Sequence, residues 1–196
     1  RNDFSRSVIL YFHDYEIRLM ALRGTMTNVE VFYDLNSYSF VQVLNIFQNI
    51  SPIIGLLPEK IRQKIISAGN LSNLFGISDL ISEIEATADV FHSKSMKNGD
   101  QFIITGHSLG GLLAGVISSK LGVPGIALSP PGSHSLIAKY EINSKEDIYS
   151  SLTTVIMDKD PVSKVDTHVG SLHKLACAYD GMACHYPTAM ICEIYT

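Results

Sequence analysis

The chain lacks features that would place it in several other protein classes. Its 196 residues carry a formal net charge of −4 and no basic run, which argues against a nucleic-acid partner, since binding phosphates needs clustered Lys and Arg. No apolar run reaches the roughly 18 residues of a membrane-spanning helix. Internal repeats and low-complexity segments are also absent. The 46% apolar and 17% charged residues predict one enzyme-sized domain over 1–196 with a sizeable core.

Cysteine is scarce and clustered near the end of the chain. The three cysteines are Cys177, Cys184 and Cys192. Clustering around a loop favours an oxidising compartment, which means secretion or a secretory or vacuolar lumen. The odd number leaves open one disulfide with a free thiol, a partner outside the chain, or three reduced thiols. The sequence begins without methionine, from which we expect a trimmed piece of a longer precursor.

The most informative segment is 101–117, QFIITGHSLGGLLAGVI, in which an apolar strand-like run leads through Gly-x-Ser-x-Gly into a glycine-rich helix. This pattern is typical of a nucleophile elbow, a sharp turn that holds Ser108 in a strained conformation with its hydroxyl exposed. Gly106 and Gly110 are expected to be glycine because larger side chains would collide with the neighbouring helix and strand. The backbone N–H of Leu109 is expected to face a tetrahedral oxyanion. The segment therefore predicts a serine hydrolase.

A serine nucleophile needs a histidine base and a carboxylate that orients it, in the chain order Ser, Asp, His if the sheet is hydrolase-like. The β-branched run 151–157 predicts a strand and is followed by two carboxylates, Asp158 and Asp160. Both are expected at the same edge of the sheet as Ser108. Asp160 is favoured because Pro161 restricts its backbone to an extended conformation. Asp158 is the alternative.

Seven histidines compete for the role of base. Three are expected to be solvated: His13 in a hairpin turn, His92 near the polar end of a helix and His134 in a loop. The side chain of His107 diverges from the adjacent Ser108, so His107 is expected to pack or to support the catalytic groups from behind. His168, His173 and His185 follow Asp160. His185 is favoured because it lies 25 residues beyond Asp160, between two cysteines, where a disulfide would rigidify its loop.

In these residues and in several other segments, the chain resembles the class 3 lipases, the fungal triacylglycerol lipase type. The matching segments, which with His185 span most of the chain, are Met20–Thr25 (MALRGT), Gly106–Gly111 (GHSLGG), Gly125–Gly132 (GIALSPPG) and Asp160–Val162 (DPV). The resemblance implies an α/β-hydrolase fold, a mostly parallel sheet flanked by helices. It assigns Ser108, Asp160 and His185 as the catalytic triad. Thr25 and Leu109 would form the oxyanion hole, and no cofactor or metal is expected.

The chain departs from that family at three points. Ser163 stands where many members have proline, no tryptophan is present, and Cys184 precedes the histidine instead of the usual serine or tyrosine. The change at Cys184 lies next to His185, so it bears on the assignment of His185 as the base.

The rest of the chain fits an α/β alternation. The predicted elements are a hairpin of Ser7–Phe12 and Glu16–Leu22, a helix with apolar positions from Ile77 to Phe91 that stops at Asn98-Gly99, a helix Leu109–Leu121, a strand Gly125–Ser129, a polar stretch Asn143–Asp147, and the strand 151–157.

Segment 40–66 mixes apolar side chains with Lys and Arg, a composition suited to a lipid surface. Members of the resembled family carry a helical lid after the RGT strand, so 40–66 is the candidate lid, with ordinary core helices as the alternative. A lid implies a water-insoluble lipid ester as substrate and a transient contact with a membrane or lipid-droplet surface. The predicted function is hydrolysis of carboxylic esters of lipids through an acyl-enzyme. The alternative is an inactive lipid-binding or scaffold protein on the same fold.

Overall fold

The computed structural model describes residues 7–24, 77–134, 151–164 and 166–195. Over these residues the chain is a mixed α/β fold with a six-stranded, mostly parallel sheet flanked by helices. Thr25, the candidate lid 40–66 and the polar stretch Asn143–Asp147 lie outside the described residues, so the expectations for them stay predictions.

The sheet contains six strands in sequence order across its width: β1 (Ser7–Phe12), β2 (Ile17–Leu22), β3 (Gln101–His107), β4 (Gly125–Leu128), β5 (Leu152–Met157) and β6 (Ser171–Leu175). The first pair is antiparallel and the four following pairs are parallel. The carboxyl ends of β2 to β6 therefore meet at one edge, where ligand sites of open α/β sheets lie.

The turn between β1 and β2 differs slightly from the predicted hairpin. His13–Tyr15 form a 3₁₀ helix, and Glu16 adopts a left-handed backbone with φ of 51°. Because a left-handed residue cannot continue a strand, β2 begins at Ile17 and not at Glu16. The other end of the strand, Leu22, lies as predicted.

Two long helices cover one face of the sheet. Helix α1 (Ile77–Asn98) packs on β3 and on helix α2 (Leu109–Leu121), and α2 packs along β2, β3 and β4. Between them and the sheet lies the main apolar core, which includes Ile81, Ile84 and Ala88 of α1, Val116 and Ile117 of α2, and Met20, Phe102 and Ile104 of the strands. The helical spacing from Ile81 to Ala88 and the stop at Asn98-Gly99, where Gly99 has φ of 79°, are as predicted.

The last part of the chain holds elements that the sequence patterns did not predict. After β6 come a 3₁₀ helix, Gly181–His185, and helix α3 (Pro187–Tyr195). A second apolar cluster forms there from Met157, Cys177, Cys184, Ala189 and Met190. Since side chains alternate along a strand, Met157 and Leu152 of β5 point to opposite faces, so this cluster covers the face opposite α1 and α2. Within the described ranges, no helix combines the length and apolarity needed to cross a membrane.

Candidate active site

Ser108 lies in the tight turn between β3 and α2. Its backbone has φ of 58° and ψ of −126°, a conformation that is costly for a residue with a Cβ. Its N–H donates to the carbonyl of Leu128 at 2.9 Å, which ties the turn to the end of β4. A Cβ on Gly106 would collide with the backbone of Gly110, and a Cβ on Gly110 with the carbonyl of Leu22. The turn has the strained geometry that the sequence predicts, for the predicted steric reason.

The structure brings Ser108, His185 and Asp160 together. His185 Nε2 lies 2.9 Å from Ser108 Oγ, and His185 Nδ1 lies 2.9 Å from Asp160 Oδ2. A carboxylate only accepts, so Nδ1 carries the proton in the neutral ring. Nε2 is then the acceptor, and the Ser108 hydroxyl donates to it. A nitrogen lone pair therefore points at the serine proton.

His185 ends the 3₁₀ helix Gly181–His185, and a disulfide closes the loop before it. Cys177 and Cys184 are bonded across seven positions, with their Cα atoms 6.0 Å apart. Both are buried in the second apolar cluster. Cys192 is free and exposed. The structure therefore has one disulfide and one free thiol, which is one of the alternatives that the sequence left open. His185 follows the disulfide-bonded Cys184 directly.

Asp160 follows β5 and its side chain has no solvent exposure. Besides His185, it accepts hydrogen bonds from the Val162 backbone N–H at 2.8 Å and from the Ser163 hydroxyl at 2.9 Å. Burial pushes the pKa of Asp160 upward. The hydrogen bond and charge of His185, followed by the donors of Ser163 and Val162, outweigh burial, so this pKa lies below its ordinary value. The carboxylate thus stays ionised although it is buried.

Asp158, the alternative acid, is exposed and bonds to backbone groups of the segment after β6. Its Oδ1 accepts the backbone N–H of Cys177 at 3.0 Å, and its own N–H donates to the carbonyl of Leu175. These bonds join the end of β5 to the segment after β6. Asp158 therefore braces the loop that leads to His185, whereas Asp160 contacts the imidazole.

His107 contacts His185, in agreement with its predicted role as a packing residue or a neighbour that supports the catalytic groups. Its Nε2 lies 2.8 Å from the His185 carbonyl oxygen, and the two ring centroids are 4.9 Å apart. Burial, and then the charge of His185, lower the pKa of His107 below its usual value. The hydrogen bond to the carbonyl and the charge of Asp160 oppose this only in part. His107 is a neutral neighbour of the site.

The remaining histidines lie away from the Ser108 hydroxyl contact. His168 Nε2 lies 2.7 Å from the Ser163 carbonyl oxygen, and His173 lies on the exposed edge strand β6, near Ser171. His92 stacks on Phe102 in the α1 layer. His13 is exposed in the 3₁₀ turn, and His134 is partly exposed in the loop after β4.

Two further backbone segments lie beside Ser108. Leu109 is the first residue of α2, so its N–H belongs to the amides that have no acceptor within the helix. Gly24 follows β2, and a Cβ on it would lie 2.6 Å from the His107 carbonyl oxygen and 3.4 Å from Ser108 Cβ. The chain after β2 therefore passes directly against the serine. Thr25, the next residue, lies outside the described residues.

Two residues around the site were missed from the sequence, Gly24 and Ser163. Ser163 lies three residues after Asp160, close enough along the chain for its hydroxyl to reach the carboxylate, and this spacing is the local signal for it. The close approach of Gly24 depends on a distant part of the chain, so no local pattern predicts it. Among the described residues, no group of His, Cys, Asp and Glu is arranged to hold a metal ion.

Comparison with known proteins gives a distant structural neighbour. No protein-family model matches the chain, and no curated protein matches it in sequence. A solved structure of a mutant form of MDLA from Penicillium cyclopium is similar in fold, with a TM-score of 0.43 and 12% identity. The similarity covers 93% of this chain and 62% of that one. A likeness this distant does not identify a function.

Proposed function

We propose that this protein is a serine hydrolase of the α/β-hydrolase type that cleaves carboxylic ester bonds of lipids. The observation that carries the proposal is the unbroken line of contacts from Ser108 Oγ through His185 to a fully buried Asp160, both contacts at 2.9 Å. Nucleophile, base and orienting acid within hydrogen-bond reach are what acyl transfer by serine requires.

In the proposed reaction, Ser108 Oγ attacks the ester carbonyl while His185 Nε2 takes the hydroxyl proton. Asp160 holds the ring in the tautomer with Nδ1 protonated and stabilises the imidazolium that forms. The Leu109 N–H and the dipole of α2 stabilise the negative oxygen of the tetrahedral intermediate, with Thr25 as the second proposed donor. His185 then gives its proton to the leaving alcohol, which leaves an acyl group on Ser108.

The second half of the reaction uses the same groups in reverse. A water molecule gives a proton to His185 Nε2 as its oxygen attacks the acyl carbonyl. The new tetrahedral intermediate collapses, the carboxylic acid departs, and the proton returns to Ser108 Oγ. The strained backbone of Ser108 supports this cycle, since it keeps the hydroxyl at the tip of the turn.

The lipid nature of the ester rests on the sequence. The segments that resemble class 3 lipases and the apolar, basic composition of 40–66 support a lipid ester over a small soluble one. The contacts among Ser108, His185 and Asp160 support ester hydrolysis but do not identify the acyl group. We therefore treat the reaction and the substrate class as two steps, each with its own test.

A fluorophosphonate probe tests the reaction, because it phosphonylates only a serine that a base activates. The wild-type chain should be labelled, and Ser108→Ala should not be. Ser118→Ala, which removes another buried serine hydroxyl far from His185, is the matched control and should label normally. Absence of labelling in folded wild-type protein would leave the inactive lipid-binding or scaffold alternative.

A panel of esters tests the substrate class. Long-chain acylglycerol or phospholipid emulsions should be hydrolysed faster than short soluble esters at equal ester concentration. Ser108→Ala should reduce each rate by several orders of magnitude. Equal or faster turnover of soluble esters would retain the hydrolase and overturn the lipid substrate.

A further inference from the structure

Ser163 donates to the oxygen of Asp160 that also faces His185. The Ser163 Oγ lies 2.9 Å from Asp160 Oδ2, and the same Oδ2 lies 2.9 Å from His185 Nδ1. Ser163 is 4% exposed and Asp160 is fully buried, so water screens this contact little. Two donors therefore compete for the charge on one carboxylate oxygen.

The backbone around Ser163 is fixed from two sides. Ser163 is the central residue of the 3₁₀ helix Val162–Lys164, in which the Lys164 N–H donates to the Pro161 carbonyl at 3.3 Å. The Ser163 carbonyl accepts from His168 Nε2 at 2.7 Å. Since a carbonyl only accepts, His168 must carry a proton on Nε2. The hydroxyl is thus presented to Asp160 from a backbone that is held on both sides.

Resting on the proposed function, we propose that Ser163 is a positioning residue that sets the base strength of the coupled Asp160–His185 pair. By donating to Oδ2, its hydroxyl draws off negative charge that would otherwise stabilise the imidazolium of His185. Without this donor, the pair would hold its proton to higher pH. Ser163 thereby keeps the base unprotonated, and the nucleophile active, at a lower pH than a pair without the serine would allow.

Other titratable groups face the pair and enter the same balance. His185 contacts Asp160 directly, and His107 of β3 interacts through space with both Asp160 and His185. His168 contacts the pair only through the Ser163 backbone. The Ser163 hydroxyl itself carries no charge. Its removal therefore changes the pair through one lost hydrogen bond and leaves these neighbouring groups in place.

The experiment compares the wild type, Ser163→Ala and the control Ser118→Ala. Ser118 is also buried, and its hydroxyl donates to the Gly115 carbonyl in α2, where it does not contact Asp160. The first readout is kcat/KM for a soluble ester from pH 4.5 to 8, whose acid limb reports the macroscopic titration of the pair. The second is the NMR titration midpoint of the His185 ring, assigned by its loss in His185→Gln, which needs no turnover.

In Ser163→Ala, both the acid limb and the ring midpoint should move to higher pH by roughly half a pH unit, the size expected for one lost hydrogen bond to a carboxylate. The rate at the acid limb should then fall about threefold relative to the alkaline plateau. Ser118→Ala should follow the wild type. Coincident midpoints for wild type and Ser163→Ala, or an equal displacement in Ser118→Ala, would overturn the inference.

Failure of the proposed function has a different signature. A wild type that neither turns over esters nor reacts with the fluorophosphonate would contradict the hydrolase. The ring titration would still decide whether Ser163 sets the proton affinity of the pair.

Discussion

His107 Nε2 donates to the backbone carbonyl of His185 at 2.8 Å, so one imidazole fixes the main chain of the other. Two cations at a centroid distance of 4.9 Å would repel each other in this largely buried site. Because the carbonyl only accepts, the proton of the neutral His107 ring is on Nε2. Burial is the largest cause of the lowered pKa of His107, and this lowered pKa keeps the other ring nitrogen unprotonated. His107 can therefore hold the His185 backbone without opposing the imidazolium that catalysis would form.

Acid should destabilise the fold through His107. The pKa of His107 is lower in the folded state than in the unfolded chain, so the unfolded chain binds this proton more readily. The contribution of neutral His107 to the stability of the fold is therefore complete above the unfolded pKa of 6.5 and is lost as the pH falls through the lower folded pKa. The free energy of unfolding should decrease from pH 7 toward pH 5. One proton accounts for a slope of at most about 1.4 kcal/mol per pH unit.

His107→Gln, which keeps an N–H donor but cannot take up the proton, should make this decrease shallower. Urea unfolding at pH 7, 6 and 5 measures it. His173→Gln on the exposed β6 is the matched control and should keep the wild-type slope. An unchanged slope in His107→Gln would contradict the account of His107.

The two aspartates after β5 should differ sharply in their effect on turnover. Asp160→Asn removes the carboxylate that fixes the His185 tautomer and should reduce kcat by about 10⁴-fold. Asp158→Asn keeps an amide oxygen that can accept the Cys177 N–H, so kcat should change only a few-fold. Steady-state kinetics with one soluble ester, alongside a fluorophosphonate labelling rate, measures both. The reverse ranking would transfer the orienting role to Asp158.

The described fold up to the end of β5 follows largely from local sequence. Periodicity places α1, apolar β-branched runs place β3 and β5, and Gly-x-Ser-x-Gly places the turn at Ser108, because each of these elements has a local signature. Chain order and flanking residues also single out Asp160 and His185 from their competitors, and the structure brings both to within hydrogen-bond reach of one another.

The final 25 residues of the described chain were harder to predict, for physical reasons. β6 is an edge strand with exposed polar side chains, so its sequence, SLHKL, has neither an alternating nor a continuous apolar pattern. The 3₁₀ helix before α3 is held by the disulfide, which closes a loop of seven positions, and by the second apolar cluster, which packs this part of the chain on Met157 of β5. Tertiary contacts decide these elements, and a single sequence does not display them.

Loss of the disulfide should affect both stability and turnover. Replacing Cys177 and Cys184 together with alanine opens a short loop, which costs roughly 2–3 kcal/mol in the chain-entropy account, and removes packing from the second apolar cluster. Because His185 follows Cys184 directly, kcat should fall more than KM rises. Thermal unfolding and ester kinetics measure the two effects. Cys192→Ala removes the free exposed thiol and is the control, which should behave as wild type. An unchanged kcat in the Cys177→Ala, Cys184→Ala double variant would show that the disulfide does not position His185.

Gly24 should be intolerant of the smallest possible side chain. A Cβ there would lie 2.6 Å from the His107 carbonyl oxygen, which forces apart the chain after β2 and the turn at Ser108. We expect Gly24→Ala to cost about 1–3 kcal/mol of stability, as overpacking does. The rate should fall by about 10²-fold, because a displacement on the order of 1 Å would misalign the serine with the proposed oxyanion donors. Gly115→Ala is the control, since its Cβ would meet Leu152 at an ordinary 3.4 Å. Chemical unfolding and the fluorophosphonate labelling rate separate the two effects, and a Gly24→Ala chain that labels as fast as wild type would contradict the close approach to Ser108.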